Sequence, residues 1–449
     1  MRAAVAAGHP ATVDAGVEIL EDGGNVADAA VAASLASCVA ETVMTGLLGG
    51  GHAAVFWDGE VRMLDFFVAV PGLGTEPREI ELVRLEVPFG AELVHYAVGI
   101  GSCAVPGVLA GLDALWRAHG TLPWSRLVEP ALRLARGGVE MPPAHVACLE
   151  MLAPVMTMRE GERLYSPGGR LLQTGERLEQ PGLVRALELV AEETARSPSL
   201  ERALLALMEE RGGLVTVEDL RSYQPRWAAP IKAEYAGVTL FGRDALNSPL
   251  PVLQALTEPG PVKIALALRG HDSNGDTTNL AVVDGDGNAV VLTTSLGLGS
   301  GDWLPGLDLH LNSMLGEADL LVGGELVPGE RMASMMSPTI GCDPGGLRLA
   351  IGAAGGTRLR SAVVQVLSGF LDEGLSPGDA VNRPRLHPVG DLLHLEPGFP
   401  DGVPEALERA GFTIRVWPAP HHYFGGVSLV SRSGAAGDPR RSGAARHLA

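Results

Sequence analysis

The pattern of apolar runs and chain breakers predicts an α+β fold in which sheets are covered by helices. Two short apolar runs flank an Asp-Gly turn near the amino terminus, and a second such pair lies in the carboxyl-terminal third. Between them, from about residue 104 to 245, apolar residues recur mainly at helical spacing.

Taken in order, Val13, Val17 and Leu20 share a helical face that Gly23-Gly24 stops. Asn25, with Asp28 three residues on, caps a second helix running to about Ala40. That helix is mostly alanine and other small residues, so it has no wet face and should be packed on most sides. Gly49-Gly50-Gly51-His52 leads into a hairpin of residues 53–57 and 61–65 around Asp58-Gly59. Residues 106–118 and 127–136 read as helices, and 182–210 as two more with charged, solvated faces. Residues 257–276 hold a breaker cluster and the polar linker Asp272-Ser273-Asn274-Gly275-Asp276. A second hairpin follows, residues 277–284 and 289–295 around Gly285-Asp286-Gly287-Asn288. Residues 347–351 form a strand that feeds Gly355-Gly356 and a helix with Leu359, Val363 and Phe370 on its apolar face. Ser376-Pro377 starts another helix, residues 426–431 form a last strand, and the tail from Arg432 reads as frayed. No internal repeat is present.

Composition excludes several classes of function. The 449 residues carry 34 basic and 53 acidic side chains, a net charge of −19, and 46% are hydrophobic. A large core is therefore available, while a nucleic-acid backbone or an anionic membrane surface finds no basic partner. The most apolar stretch, residues 29–40, is shorter than the roughly 20 residues a bilayer requires. After Met1-Arg2 the apolar run ends at Gly8-His9-Pro10, unlike a secretory signal. Four separated cysteines, of which Cys38 and Cys103 sit in apolar surroundings, fit a reduced, cytoplasmic protein.

Three places invite chemistry. The Gly49-Gly50-Gly51 run lacks the lysine of a phosphate loop, and a tight turn is the simpler reading. The twelve histidines show no metal-site spacing, and on a strand the neighbours His421 and His422 would diverge, so neither a metal nor another cofactor is expected. At Thr277, however, a polar linker meets the first residue of an apolar strand. Cut before it, the chain would expose a hydroxyl and a free α-amine on one residue, nucleophile and base together. Thr277-Thr278 also suits the start of any strand. Ser295, closing the partner strand, lies within reach, and Gly355-Gly356 fits either an oxyanion hole or a plain turn into a helix.

These residues resemble the gamma-glutamyltranspeptidase family over most of the chain. Gly8-His9-Pro10, Glu18 through Ala32 and the Ala104 to Leu112 segment match its opening motifs, and Gly120-Thr121-Leu122-Pro123-Trp124 and Tyr223-Gln224-Pro225-Arg226-Trp227 follow in order. Thr277 to Val290, Ser334-Met335-Met336-Ser337-Pro338-Thr339 and Gly355-Gly356-Thr357-Arg358 are similar to its nucleophile, binding-loop and oxyanion segments. The resemblance implies a four-layer αββα sandwich of the N-terminal-nucleophile hydrolase type. It implies self-cleavage after Asp276 into segments 1–276 and 277–449 that stay together as one folded unit. It assigns Thr277 as nucleophile, Ser295 as supporting hydroxyl, and Gly355 and Gly356 as oxyanion donors.

The substrate pocket departs from the family pattern. Phe67 stands where a Leu-Asp-x-Arg-Glu arginine grips the glutamyl carboxylate, and an aromatic ring cannot make that bidentate pair. Asn312 and Glu317 belong to an altered Asn-Asn-Glu-Met-Asp-Asp segment, Met335 replaces a serine beside Ser334, and Asn279 replaces a histidine. The segment between Leu256 and Thr277 is short, and the family's helical stretch before the cleavage point is expected to be missing. The expectation is a self-processed threonine hydrolase or acyltransferase cleaving a γ-glutamyl or other acyl amide, or a relative acting on a non-glutamyl biosynthetic intermediate at an amide or C–C bond. The other reading is an uncleaved ligand-binding protein of the same fold.

Overall fold

The computed structural model describes residues 2–76, 80, 82–89, 92–270, 277–322, 325–356 and 358–448. The polar linker before Thr277, including Asp276, and the motif residue Thr357 lie outside the described residues.

Two antiparallel sheets form the centre. The first runs in the order Ala444–His447, Ala4–Ala7, Thr278–Val283, Ala289–Ser295, Gly50–Trp57, Glu60–Phe66 and Arg226–Ala228. The second runs Gly434–Gly437, Gly426–Ser431, Gly346–Ala354, Thr339–Asp343, Val238–Gly242 and Ile231–Tyr235. Side chains alternate faces along a strand, and these sequences use both faces. Ala281, Val283, Ala289 and Val291 of the first sheet meet Ile340, Leu347, Ala350 and Val430 of the second in one apolar layer. Leu280, Val282, Val290 and Leu292 face the other way, into helices Pro10–Glu21, Val26–Ala40, Val108–His119 and Trp124–Gly137. Leu349, Ile351, Val427 and Leu429 likewise face Leu359, Val363, Val366 and Phe370 of helix Arg358–Leu371. The order is helix, sheet, sheet, helix, the expected four layers.

Every residue of Val26–Ala40 is buried, as its small side chains require, and the Asn25–Asp28 capping box forms. Among the described residues no helix is long and apolar enough to cross a membrane.

Four features differ from the sequence expectation. The mainly helical middle also contains Arg226–Ala228, Ile231–Tyr235 and Val238–Gly242, the last two building the edge of the second sheet. On this edge one face is wet, and charged residues such as Lys232 and Glu234 mask the strand pattern. A further hairpin, Val83–Phe89 with Glu92–Val98, was not anticipated. The short segment before Thr277 still holds a helix, Pro261–Leu268, started by Pro261 and packed through Ile264, Ala265 and Leu268.

The tail is not frayed. Gly434–Gly437 pairs with Gly426–Ser431, and Ala444–His447 closes the first sheet against Ala4–Ala7. Between them Arg440 and Arg441 are buried, though arginines in a Gly- and Ala-rich run read as solvent-facing. Arg440 Nε donates to Glu396 at 2.7 Å and its Nη1 to Asp438 at 3.2 Å, while Arg385 also pairs with Asp438. Removing one partner strands a buried charge, at a cost of about 3–5 kcal/mol. Arg440→Ala should therefore lower the urea midpoint markedly, measured by circular dichroism, whereas Arg446→Ala, whose exposed pair with Asp14 is solvated, should leave it nearly unchanged.

Candidate active site

The site forms where a strand of one sheet begins and a strand of the other ends. Thr277 precedes Thr278–Val283, and because Thr278 pairs with Thr294, Ser295 lies opposite it on the neighbouring strand. From the second sheet, Gly346–Ala354 runs into Gly355, whose N–H donates to Thr277 Oγ1 at 2.8 Å. Gly355 and Gly356 have φ of +117° and +58°, in the half of backbone space that favours glycine. A Cβ on Gly355 would also lie 2.9 Å from the Gly425 Cα. The turn brings a backbone donor to a hydroxyl at the amino-terminal end of helix Arg358–Leu371, where negative charge is favoured. Ser295 Oγ accepts from the Gly297 N–H at 2.8 Å. Asn279, in place of the family's histidine, bridges the sheets: its side chain donates to the Gly426 carbonyl at 3.2 Å and accepts from the Ser428 N–H at 3.1 Å.

A pocket of about 270 Å³ opens over these groups. Thr277, Ser295, Gly356, Ser334 and Glu317 line it, and the rest of its wall is Phe67, Met314, Leu320, Met335, Met336 and Leu359. No arginine or lysine is among these residues. A wider cleft of about 570 Å³ beside Leu47 and Tyr223 holds none of these hydroxyls.

The Phe67 position is fixed from several sides. Its carbonyl accepts from Tyr223 at 2.6 Å and from Arg331 at 2.5 Å, and its N–H donates to Asp65 at 2.9 Å. The ring stacks on His52 with centroids 5.5 Å apart. Burial holds that imidazole well below its ordinary pKa, and Arg243 and Arg331 push it the same way. The loop bearing Ser334 and Met335 is held by Leu246 N–H and Arg243, both donating to the Ser334 carbonyl, at 3.0 and 3.2 Å. Of the substrate-binding residues expected from sequence, Phe67, Glu317, Ser334 and Met335 reach the pocket. Asn312 does not. It clamps two loops, accepting from the Ala104 N–H at 3.0 Å and donating to the Leu48 and Ala104 carbonyls at 2.9 Å each. His421 and His422 do not diverge either, because the chain turns there into the short helix His422–Phe424 and their rings lie 4.1 Å apart.

One buried group went unread in the sequence. Glu41, at the end of helix Val26–Ala40, accepts from Thr12 Oγ1 at 2.6 Å and from Thr278 Oγ1. An acid ending an apolar helix is usually solvated, and only the folded strand order puts Thr278 against it. Burial pushes its carboxyl up to about 7, against the two hydroxyls and Arg441, which pull it down. Between about pH 4.5, where an unfolded glutamate ionises, and about pH 7, the folded state holds a proton that the unfolded state has lost. Stability attributable to this group is therefore lost as pH rises through that window, by up to about 1.4 kcal/mol per pH unit. Glu41→Gln should flatten the fall in melting temperature between pH 5 and 7; an unchanged slope would contradict this.

The gamma-glutamyltranspeptidase family profile matches residues 12–258 and 247–448, and the chain belongs to that family. It is 28% identical over 487 residues to the acylase ACY 1 proenzyme of Pseudomonas sp. (strain SE83), covering 92% of this chain and 87% of that one. It is 27% identical over 499 residues to the glutathione hydrolase proenzyme of Escherichia coli (strain K12), covering 90% and 85%. The cephalosporin acylase structure from Bacillus halodurans superposes with a TM-score of 0.85 at 23% identity, over 100% of this chain and 96% of that one, which establishes the shared fold. The chain is thus a gamma-glutamyltranspeptidase-like enzyme, a hydrolase or acyltransferase of the N-terminal-nucleophile fold, from a family whose members are named as proenzymes.

Proposed function

We propose that this chain is a self-processed threonine amidohydrolase whose preferred acyl group carries no carboxylate at its far end. The observation that carries the reading is the 2.8 Å hydrogen bond from the Gly355 N–H to Thr277 Oγ1 at the floor of the pocket. The bond places a fixed backbone donor beside the attacking hydroxyl, within reach of the carbonyl oxygen of a bound acyl group, the atom on which acyl transfer develops its negative charge.

Cleavage before Thr277 yields segments 1–276 and 277–449. They remain joined because Thr278–Val283 and Ala289–Ser295 sit between Ala4–Ala7 and Gly50–Trp57 in one sheet. The freed α-amine, with an ordinary pKa near 8, takes the Oγ proton as the hydroxyl attacks the acyl carbonyl. Gly355 and Gly356 hold the oxyanion, Ser295 orients the amine, and the protonated amine returns its proton to the departing nitrogen. Water then attacks the ester, releasing the acid and regenerating Thr277; an amine acceptor in place of water gives transfer.

Phe67 and the methionines remove the carboxylate anchor, and Glu317, buried in the wall, repels a second anion. A lost bidentate partner costs about 2–5 kcal/mol. The test uses 4-nitroanilides of γ-glutamyl, glutaryl, 4-aminobutyryl and butyryl groups, which share a four-carbon acyl backbone and differ in whether its fourth carbon carries a carboxylate, an ammonium, both or neither. The butyryl and 4-aminobutyryl substrates should show kcat/KM at least about tenfold above the other two. Phe67→Arg should raise the carboxylate-bearing pair by a similar factor. Thr277→Ala should abolish turnover and leave a single band on denaturing electrophoresis, where the wild type shows two. A wild-type chain that stays unsplit and inert toward all four amides would point instead to a ligand-binding role.

A further inference from the structure

Behind Thr277, on the face of the sheet turned from the pocket, lies a polar cluster that this chemistry does not use. Strand alternation sends Thr278 toward the helices, where its hydroxyl donates to Glu41 while Thr12 donates to the other carboxylate oxygen at 2.6 Å. Helix Pro10–Glu21, the end of helix Val26–Ala40 and the nucleophile strand thus meet on one buried carboxyl. The approach depends on Gly8, since a Cβ there would stand 2.5 Å from Glu41 Oε2 and 3.1 Å from Thr278 Oγ1. The charge of Arg441 acts on the same carboxyl, and its Nη2 would lie 3.2 Å from a Cβ on Gly355. One guanidinium therefore lies against the turn that supplies the oxyanion donor while its charge acts on the carboxyl behind the nucleophile strand.

A helix cap does not need this acid. The Glu41 N–H already closes the helix on the Ser37 carbonyl at 2.8 Å, and an apolar side chain would fill the space without desolvating a charge. The carboxyl is kept at a cost to stability, and the contact that distinguishes it is the one with the residue after the nucleophile.

We propose that Glu41 is a positioning residue for Thr277: its carboxylate grips the nucleophile strand from behind through Thr278 and, with Arg441, sets that strand against the oxyanion turn at Gly355. This rests on Thr277 being the nucleophile. Of the other titratable groups packed around the cluster, burial holds His9 near 4 and His145 near 3, both neutral at working pH, and keeps Cys38 protonated by raising it to about 12. Arg441 stays cationic. Glu41 is then the member whose charge changes near pH 7, and the charged form, accepting two hydroxyl hydrogens, grips the strand harder than the neutral one.

Glu41→Gln and the near-isosteric Thr278→Val test this, with the faster of the butyryl and 4-aminobutyryl 4-nitroanilides as substrate. Both variants should lose about tenfold or more in kcat with KM within about twofold of wild type, since misplacing a reacting atom slows chemistry without weakening binding. Of the two deprotonations that raise kcat with pH, the one near 7 should be lost in Glu41→Gln, leaving that of the α-amine with its ordinary pKa near 8, while the melting temperature of this variant at pH 8 stays at or above wild type. Unchanged kcat and an unchanged pH limb would overturn the proposal, as would a kcat loss matched by a fall in melting temperature in both variants. A wild-type chain inert toward every anilide would instead remove Thr277 from its role, and this inference with it.

Discussion

The structure depends on the juxtaposition of two strand ends from different sheets. The amino-terminal end of Thr278–Val283 and the carboxyl-terminal end of Gly346–Ala354 meet across the inter-sheet core, so that a threonine hydroxyl and a glycine N–H come within hydrogen-bonding distance. Neither strand could hold this arrangement alone. The apolar layer between the sheets fixes their separation, Asn279 ties them together two residues past Thr277, and the positive φ angles at Gly355 and Gly356 turn the chain into its helix. Any side chain at Gly355 would collide with the Gly425 backbone, which explains why only glycine fits there.

Around this centre the chain separates machinery from selection. Thr277, Ser295 and Gly355 lie at the ends of strands of the two sheets, whereas Phe67, Ser334 and Met335 of the pocket wall lie on loops anchored through their backbones. Tyr223 and Arg331 hold the Phe67 carbonyl, Arg243 holds that of Ser334, and Asn312 fastens the loops behind them. Backbone anchoring leaves the side chains of these loops free to vary, and here they are aromatic and thioether groups rather than a cation. The acidic Glu317 lies in the same wall, beside Phe67, Met314, Met335 and Met336.

Much of this was legible in the sequence because local and global signals agreed. The two Asp-Gly hairpins, the all-small helix Val26–Ala40 with its Asn25 cap, and the glycine turn before Arg358–Leu371 each obey a short-range rule, and all form. Thr277, Ser295, Gly355 and Gly356 could be picked out as a set, since strand register and a strand-to-helix turn are local properties. What escaped was set by distant partners. Asn312 looks like a ligand-facing amide until the Ala104 and Leu48 backbones appear beside it. Arg440 and Arg441 look solvated until Glu396, Asp438 and Glu41 are folded around them. Lys232 and Glu234 hide an edge strand because its outer face is wet. For Asn312, Arg440 and Arg441 the side chain's polarity is answered by a residue far along the chain, and for the edge strand by solvent, neither of which periodicity reveals.

The proposed chemistry stands on one peptide bond being broken so that a single residue carries both nucleophile and base. Intact mass spectrometry of the purified protein under denaturing conditions reads this directly. The expected result is a component whose mass and amino-terminal fragment ions begin at Thr277 with an unblocked amine, alongside a partner ending at Asp276, and their joint disappearance in Thr277→Ala. A mature, active protein found as one unbroken chain, with residue 277 in peptide linkage on both sides, would contradict it.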